Sequence, residues 1–233
     1  MRLHRFIGMF DCAADRIVIA DAHIINQIVR VLRLNIGDRL ILGDGAGGEC
    51  QCVIAERGRE QLICLVIERV RNTNDPLVSG ILYCSILKRE HFELVVQKAT
   101  EIGIREIVPV ITARTVKLAI NEDRLRTIMI EAAEQSGRGF LPTLHAPMAF
   151  SDALTHAAHN AINLFFHFDG IAMASVDMHG KDLRGLFIGP EGGWTDEEVA
   201  AARAAGCIHV SLGTLTMRAE TAAIVASYLG VQS

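Results

Sequence analysis

Gly189-Pro190-Glu191-Gly192-Gly193 follows an apolar run, Leu186-Phe187-Ile188, and precedes Trp194 and a helical pattern. Gly189, Gly192 and Gly193 leave the backbone free to take φ > 0 and to come close to a ligand, and Pro190 fixes the turn. Loops of this kind at the carboxyl ends of strands are where α/β proteins hold small molecules. The same residues equally make an ordinary strand-to-helix turn. An echo lies at Leu212-Gly213-Thr214-Leu215-Thr216-Met217-Arg218-Ala219-Glu220-Thr221-Ala222, where an apolar run again ends in a turn and a helix follows. A third group, Glu131-Ala132-Ala133-Glu134-Gln135-Ser136-Gly137-Arg138, ends another helical pattern. There Arg138 could meet the last carbonyls or reach a phosphate. The plainer alternative is a charged helix end with a glycine stop.

Other chemistries lack their residues. The sequence has no phosphate-binding GxxxxGK[ST], no GxSxG nucleophile elbow and no HExxH. Gly43-Asp44-Gly45-Ala46-Gly47-Gly48 satisfies G-x-G-x-x-G, but a second strand-like run, Cys50–Ala55, follows where a dinucleotide site needs a helix. A hairpin connection explains these glycines better. Cys50-Gln51-Cys52 has one intervening residue and no second pair, unlike zinc spacing. The six cysteines are expected to be reduced and structural. His156 and His159 stand three apart with no ligand partner, so a solvated helix face is expected there and no metal.

The elements that must position the glycine loops form two groups. Residues 1–72 read as mostly strand: Arg16–Ala20, Arg39–Leu42, Cys50–Ala55 and Gln61–Val70, with one short helical pattern through Ile24, Ile28 and Val31. Several short strands in so few residues predict a small β-barrel. Asn72-Thr73-Asn74-Asp75-Pro76 reads as a linker. Residues 73–233 alternate: strand Gly80–Leu87, helix Lys88–Ile102 stopped at Gly103, strand Ile104–Ile111, helix Glu122–Ser136, strands Ile162–Phe168 and Leu183–Ile188. A helix then begins at Thr195 with Glu198 completing a capping box and ends at Gly206. Strand Cys207–Leu212 and helix Ala219–Leu229 close the chain. This alternation predicts one α/β domain on a parallel sheet.

Of the 233 residues half are hydrophobic, and the mean hydropathy is +0.29. No apolar run reaches the ~20 residues of a membrane span, and no leader pattern follows the N-terminus, so a cytoplasmic protein is expected. The formal charge of −4 excludes a broadly basic nucleic-acid binder. Residues 1–72 carry 10 Lys/Arg against 9 Asp/Glu, and residues 73–233 carry 13 against 18. An RNA partner would therefore have to be gripped by local basic patches.

Four segments together resemble the RsmE family, the 16S ribosomal RNA uridine-N3 methyltransferases of the SPOUT class. They are Val31-Leu32-Arg33 with Gly37-Asp38; Gln97-Lys98-Ala99-Thr100-Glu101-Ile102-Gly103 with Pro109; Glu131–Arg138; and the pair Ile188–Gly193 with Leu212–Ala222. They fall in the family's order over nearly the whole chain. The resemblance implies a PUA-like barrel that grips RNA, an α/β domain with a trefoil knot, a homodimer, and S-adenosylmethionine (SAM) held by three loops. On this sequence those loops supply Phe166 and His167; Gly189, Pro190, Glu191 and Gly192; and Leu212, Gly213, Thr214, Leu215 and Met217. The partner it implies is 16S ribosomal RNA or the small ribosomal subunit, with no membrane and no metal. Alternatives of a different kind are a SPOUT methyltransferase aimed at another RNA, and an RNA-binding module without activity.

The departures are specific. After the Leu-Gly pair the family commonly has Pro-Arg-[Ile/Val]-Leu-Arg-Thr-Glu-Thr. Here Thr214 and Leu215 replace Pro-Arg, while Arg218, Glu220 and Thr221 remain. His91 stands where a lysine is common. Methylating uracil N3 requires removal of its proton and a partner for the negative charge that develops. On this resemblance Arg218 is the expected electrostatic partner, and Glu220 is the base or the residue that orients Arg218. Glu191 is the other candidate base. RNA grip is expected from Arg5, Arg30 and Arg33, with Lys88, Arg114 and Arg138 from the second domain.

Overall fold

A computed structural model describes residues 3–116 and 119–232; Met1 and Arg2 of the basic N-terminus lie outside them. The chain divides into two compact units. One holds the residues up to Asp75 together with Ala133–Leu141; the other holds Pro76–Ala132 and the chain from Pro142 onward.

In the first unit β1 (His4–Ile7), β2 (Arg16–Ile19), β3 (Arg39–Gly43), β4 (Gly48–Arg57) and β5 (Leu62–Arg71) form one sheet in the order β1-β3-β4-β5-β2. The β1–β3 pair is parallel and the others antiparallel. Alternation turns Leu40, Leu42, Cys50, Cys52, Ile54, Leu62 and Cys64 into one buried cluster with Phe6, Ile17 and Ile19. Ile28 joins them from the short α1 (Ala22–Asn26) and the π-helical turn Gln27–Val31 that continues it. β1 had no legible pattern: His4-Arg5-Phe6-Ile7 does not alternate polar with apolar. The glycine run Gly43–Gly48 is a hairpin connection, as its sequence context required. Leu42 pairs with Cys50 across it, and Asp44 Oδ1 accepts from the N–H groups of Ala46 and Gly48.

Five of the six thiols are buried and Cys12 is half-buried. All six cysteines are free, and burial pushes Cys12 up to about 12 and Cys50, Cys52 and Cys64 up to about 11. They stay protonated at neutral pH and are poor nucleophiles. The segment read as a linker is pinned instead. Asn72 is buried and donates to Glu49 Oε1 (2.6 Å) and to the Gly137 carbonyl (3.1 Å). Asp75 accepts from Arg138 Nε (2.6 Å) and from the Gly139 N–H (3.0 Å). A polar composition identified the segment as irregular, but it could not reveal that its side chains have buried partners.

In the second unit β6 (Ser79–Ser85), α2 (Arg89–Ile102), β7 (Glu106–Ile111), α3 (Glu122–Ser136), β8 (Thr143–Leu144), β9 (Met148–Ala149), α4 (Phe150–His156), β10 (Ile162–Ala172), β11 (Leu183–Ile188), α5 (Asp196–Ala204), β12 (Ile208–Ser211) and α6 (Ala219–Val231) follow one another. α3 begins in this unit, and its last turn clusters with the first. The seven strands are parallel, in the order β12-β10-β11-β6-β7-β8, with β9 also on β7. Each face is covered. Val95, Val96 and Ala99 of α2 pack with Ala223 and Ala226 of α6 over Leu82, Leu164 and Leu186. Phe150, Ala153 and Ala202 cover Tyr83, Phe165 and Phe187 on the other. Strands buried on both faces explain why these runs are continuously apolar. α2 ends as expected at Gly103, whose φ of 105° only glycine adopts without strain.

Candidate active site

Because β10 lies between β11 and β12 in parallel, the loops that leave the three strands emerge on one side. The first loop follows Phe166. Between Phe166 and Ile171 the pairing of β10 with Val210 slips, leaving residues 167–170 as an excursion in which His167 Nδ1 meets Asp169. The second loop is held to the first by Trp194, whose Nε1 donates to the Phe166 carbonyl at 3.1 Å.

The glycines of this second loop do different work from one another. The N–H of Gly193 bonds to the Pro190 carbonyl (2.8 Å), and Gly193 alone of the three has positive φ, 71°. Gly189 is needed because an added Cβ would lie 3.0 Å from the Trp194 indole. Thr195 and Glu198 form the capping box that starts α5, and Glu198 also accepts from the Ala113 N–H (2.8 Å). Arg114 Nη1 donates to the Gly192 carbonyl at 2.6 Å. Arg114, read as an RNA contact, therefore braces this loop, and Lys88 offers its backbone N–H to Glu191 Oε1 (3.2 Å).

The third loop, 212–217, turns at Gly213 (φ 130°), where Ser211 Oγ accepts from the Gly213 N–H and donates to its carbonyl. Leu215 is 82 % exposed. The backbone N–H groups of Glu191, Gly192, Thr214 and Leu215 donate to nothing among the described residues. They are free to bind a polar small molecule. Arg218 is the N-cap of α6, exposed, and its guanidinium has no partner among the described residues. Glu220, in the first turn of α6, is buried. Its Oε2 has no hydrogen-bond partner, and His91 Nδ1, likewise unpartnered, stands 3.7 Å away.

Besides Arg114, two more of the arginines expected to grip RNA are engaged within the fold. Arg138 is 5 % exposed and paired with Asp75, so it does not project toward a phosphate. The alternative of a helix end with a glycine stop is what the chain adopts: Gly137 has φ 84°, and Glu134 Oε1 accepts the Ile7 N–H (2.8 Å). Arg5 forks onto both oxygens of Glu49 at 2.8 and 3.1 Å, with both side chains nearly buried. Arg30 and Arg33 are exposed. Arg30 shares a groove with Arg57 and Arg59, which sequence reasoning passed over because they lie at a strand end and in a turn.

A separate polar cluster joins Glu106, His145 and His156, whose ligand-type atoms lie within 4.8 Å of one another. His145 Nε2 bonds Glu106 (2.7 Å), and His156 Nδ1 bonds the Tyr83 hydroxyl (2.8 Å). His156 is thus tied into the fold and not on a solvated face. His159 belongs to the 3₁₀ turn after α4.

A two-unit chain with a parallel α/β sheet and three loops converging on one side is the plan of an RNA methyltransferase. A family model described as an RNA methyltransferase domain matches residues 74–229, and one described as an RNA methyltransferase PUA domain matches residues 21–67. The chain belongs to the ribosomal RNA small subunit methyltransferase E family. It is 32 % identical over 241 residues to the ribosomal RNA small subunit methyltransferase E of Synechocystis, covering 91 % of this chain and 76 % of that one. With the enzyme of the same name from Rickettsia conorii it shares 31 % identity over 220 residues, covering 91 % and 88 %. The structure of the Neisseria gonorrhoeae ribosomal RNA small subunit methyltransferase E bound to S-adenosyl methionine superposes with a TM-score of 0.89. It is 25 % identical and covers 97 % of this chain and 95 % of that one.

Proposed function

We propose that this chain transfers a methyl group from SAM to N3 of one uridine in 16S ribosomal RNA. The observation that carries this reading is the convergence of three loops, joined by the Trp194–Phe166 bond, with unpaired backbone donors and the free Arg218 on their rim. Free donors and a close-approach glycine fit a cofactor with a carboxylate and a nucleobase. Phe166, His167, Gly189–Gly192 and Leu212–Met217 would hold it. The cofactor, when bound, supplies an electrophilic methyl on a sulfonium.

The rest of the chemistry falls to this chain. Glu220 takes the N3 proton, whereas Glu191 already accepts from the Lys88 N–H. N3 forms its bond to the methyl carbon as the C–S bond breaks and leaves its electron pair on sulfur. Arg218 offsets the negative charge that spreads onto the uracil oxygens. N3 is on the base-pairing edge, so the uridine is unpaired or flipped out.

The same reading makes the first unit a PUA-like barrel that binds RNA and the second a trefoil-knotted SPOUT domain. It makes the working form a cytoplasmic homodimer. Exposed Leu215, Tyr228 and Leu229, on the third loop and the last helix, support the dimer. No described helix is long and apolar enough to cross a membrane.

Reverse transcription of ribosomal RNA tests the function. N3 methylation blocks pairing, so wild-type RNA should stop the polymerase at one uridine, and RNA from a strain lacking this gene should be read through. A stop that persists would overturn the assignment. The RNA grip has its own test. Replacing Arg30 and Arg33 together by alanine should weaken RNA binding and lower the slope of log affinity against log salt by about 1–2. An unchanged slope would remove these arginines from the interface.

A further inference from the structure

We propose that His91, in its protonated form, is the positioning residue that ties Glu191 of the glycine loop and Glu220 of α6 into one site. The inference rests on those two segments serving methyl transfer. His91 Nδ1 lies 3.7 Å from Glu220 Oε2 and 4.0 Å from Glu191 Oε1. The first two of these atoms are buried and have no hydrogen-bond partner. Unpartnered polar atoms this close are costly apart, and one proton on the imidazole satisfies both.

The surroundings leave His91 alone in this role. Glu191 faces it from the loop after β11, and Glu220 faces it from the helix packed on α2. At the end of β6 lies Cys84, which burial keeps protonated, with Glu191 adding to the effect. On its own helix Arg89 is committed to Glu93, and Lys88 meets Glu191 through its backbone N–H. Arg218 is exposed at the start of α6. With His91 neutral, the carboxylates of the glycine loop and of α6 share a partly closed space with no cation between them. With His91 charged, the loop and α6 are both tied to α2, and Glu220 is held as a carboxylate.

Only a protonated imidazole can bridge the two carboxylates, so the tie is tested on either side of neutrality. Two variants separate the cation from the imidazole: His91→Lys keeps a charge throughout, and His91→Gln never has one. Thermal unfolding and single-turnover methylation of the full-length protein should be compared at about pH 6 and about pH 8.5. At the lower pH the wild type and H91K should match, with H91Q slower by about threefold to tenfold and less stable. At the higher pH the wild type should fall to H91Q while H91K keeps its advantage.

Taking ratios between variants cancels titrations common to all three. Unfolding is read without turnover, so a protein that unfolds as expected yet transfers no methyl group faults the functional reading and not the tie. Parallel pH profiles for the wild type and both variants would overturn the inference.

Discussion

Replacing Arg218 by alanine should lower the single-turnover rate of methyl transfer by about 10²–10³-fold, the usual loss when one preorganised donor to a developing anion is removed. Affinity for SAM should stay within about twofold, since in the proposed mechanism Arg218 meets the base and not the cofactor. The structure makes this separation sharp. Arg218 is exposed, caps α6 without a side-chain bond, and supports nothing in the fold, so its loss leaves the loop intact. Calorimetry with SAM beside single-turnover rates checks both halves. A variant that turns over normally would move the electrostatic role elsewhere, and one that fails to bind SAM would make Arg218 part of the cofactor wall. The replacement of the family's neighbouring arginine by Leu215 adds weight to the experiment, because Arg218 then carries that charge without help.

Arg138→Ala should have the largest effect on stability, about 3 kcal/mol of unfolding free energy, because it strands the carboxylate of Asp75 in a nearly closed site. Asp75 also accepts the N–H groups of Gly139 and Phe140, so the turn after α3 would loosen with it. Denaturant unfolding measures the loss. RNA affinity per folded molecule, and its salt slope, should be unchanged. If the slope falls instead by about one and stability holds, Arg138 contacts phosphate after all.

Much of the second unit was legible because long elements carry strong periods. α3 and β11 begin and end where their patterns do, and Thr195 with Glu198 marks the start of α5. α4 and the two-residue β8 and β9 were missed, since a seven-residue helix and dipeptide strands show no period. In the site, the glycine loop was recognised but its glycines were read alike. Only Gly193 needs positive φ; Gly189 needs room for an indole five residues on. Arginines were harder still. Arg5, Arg30, Arg33 and Arg138 look the same as letters, yet Arg138 is buried and Arg5 nearly so, each against a carboxylate, and the other two are exposed.

By itself, then, the sequence determined which strands alternate with which helices, where the glycine-bearing turns lie, and the family to which the chain belongs. These properties follow from local periods, turn chemistry and the order of short motifs. Tertiary structure decided which charges are free to act. The partner of Arg138 lies 63 residues away, and the carboxylates facing His91 lie in a loop and a helix a hundred residues and more downstream. The field at an ionisable group depends on what folding brings within a few ångströms and on how far water is excluded. Neither quantity is encoded in any single stretch of the chain.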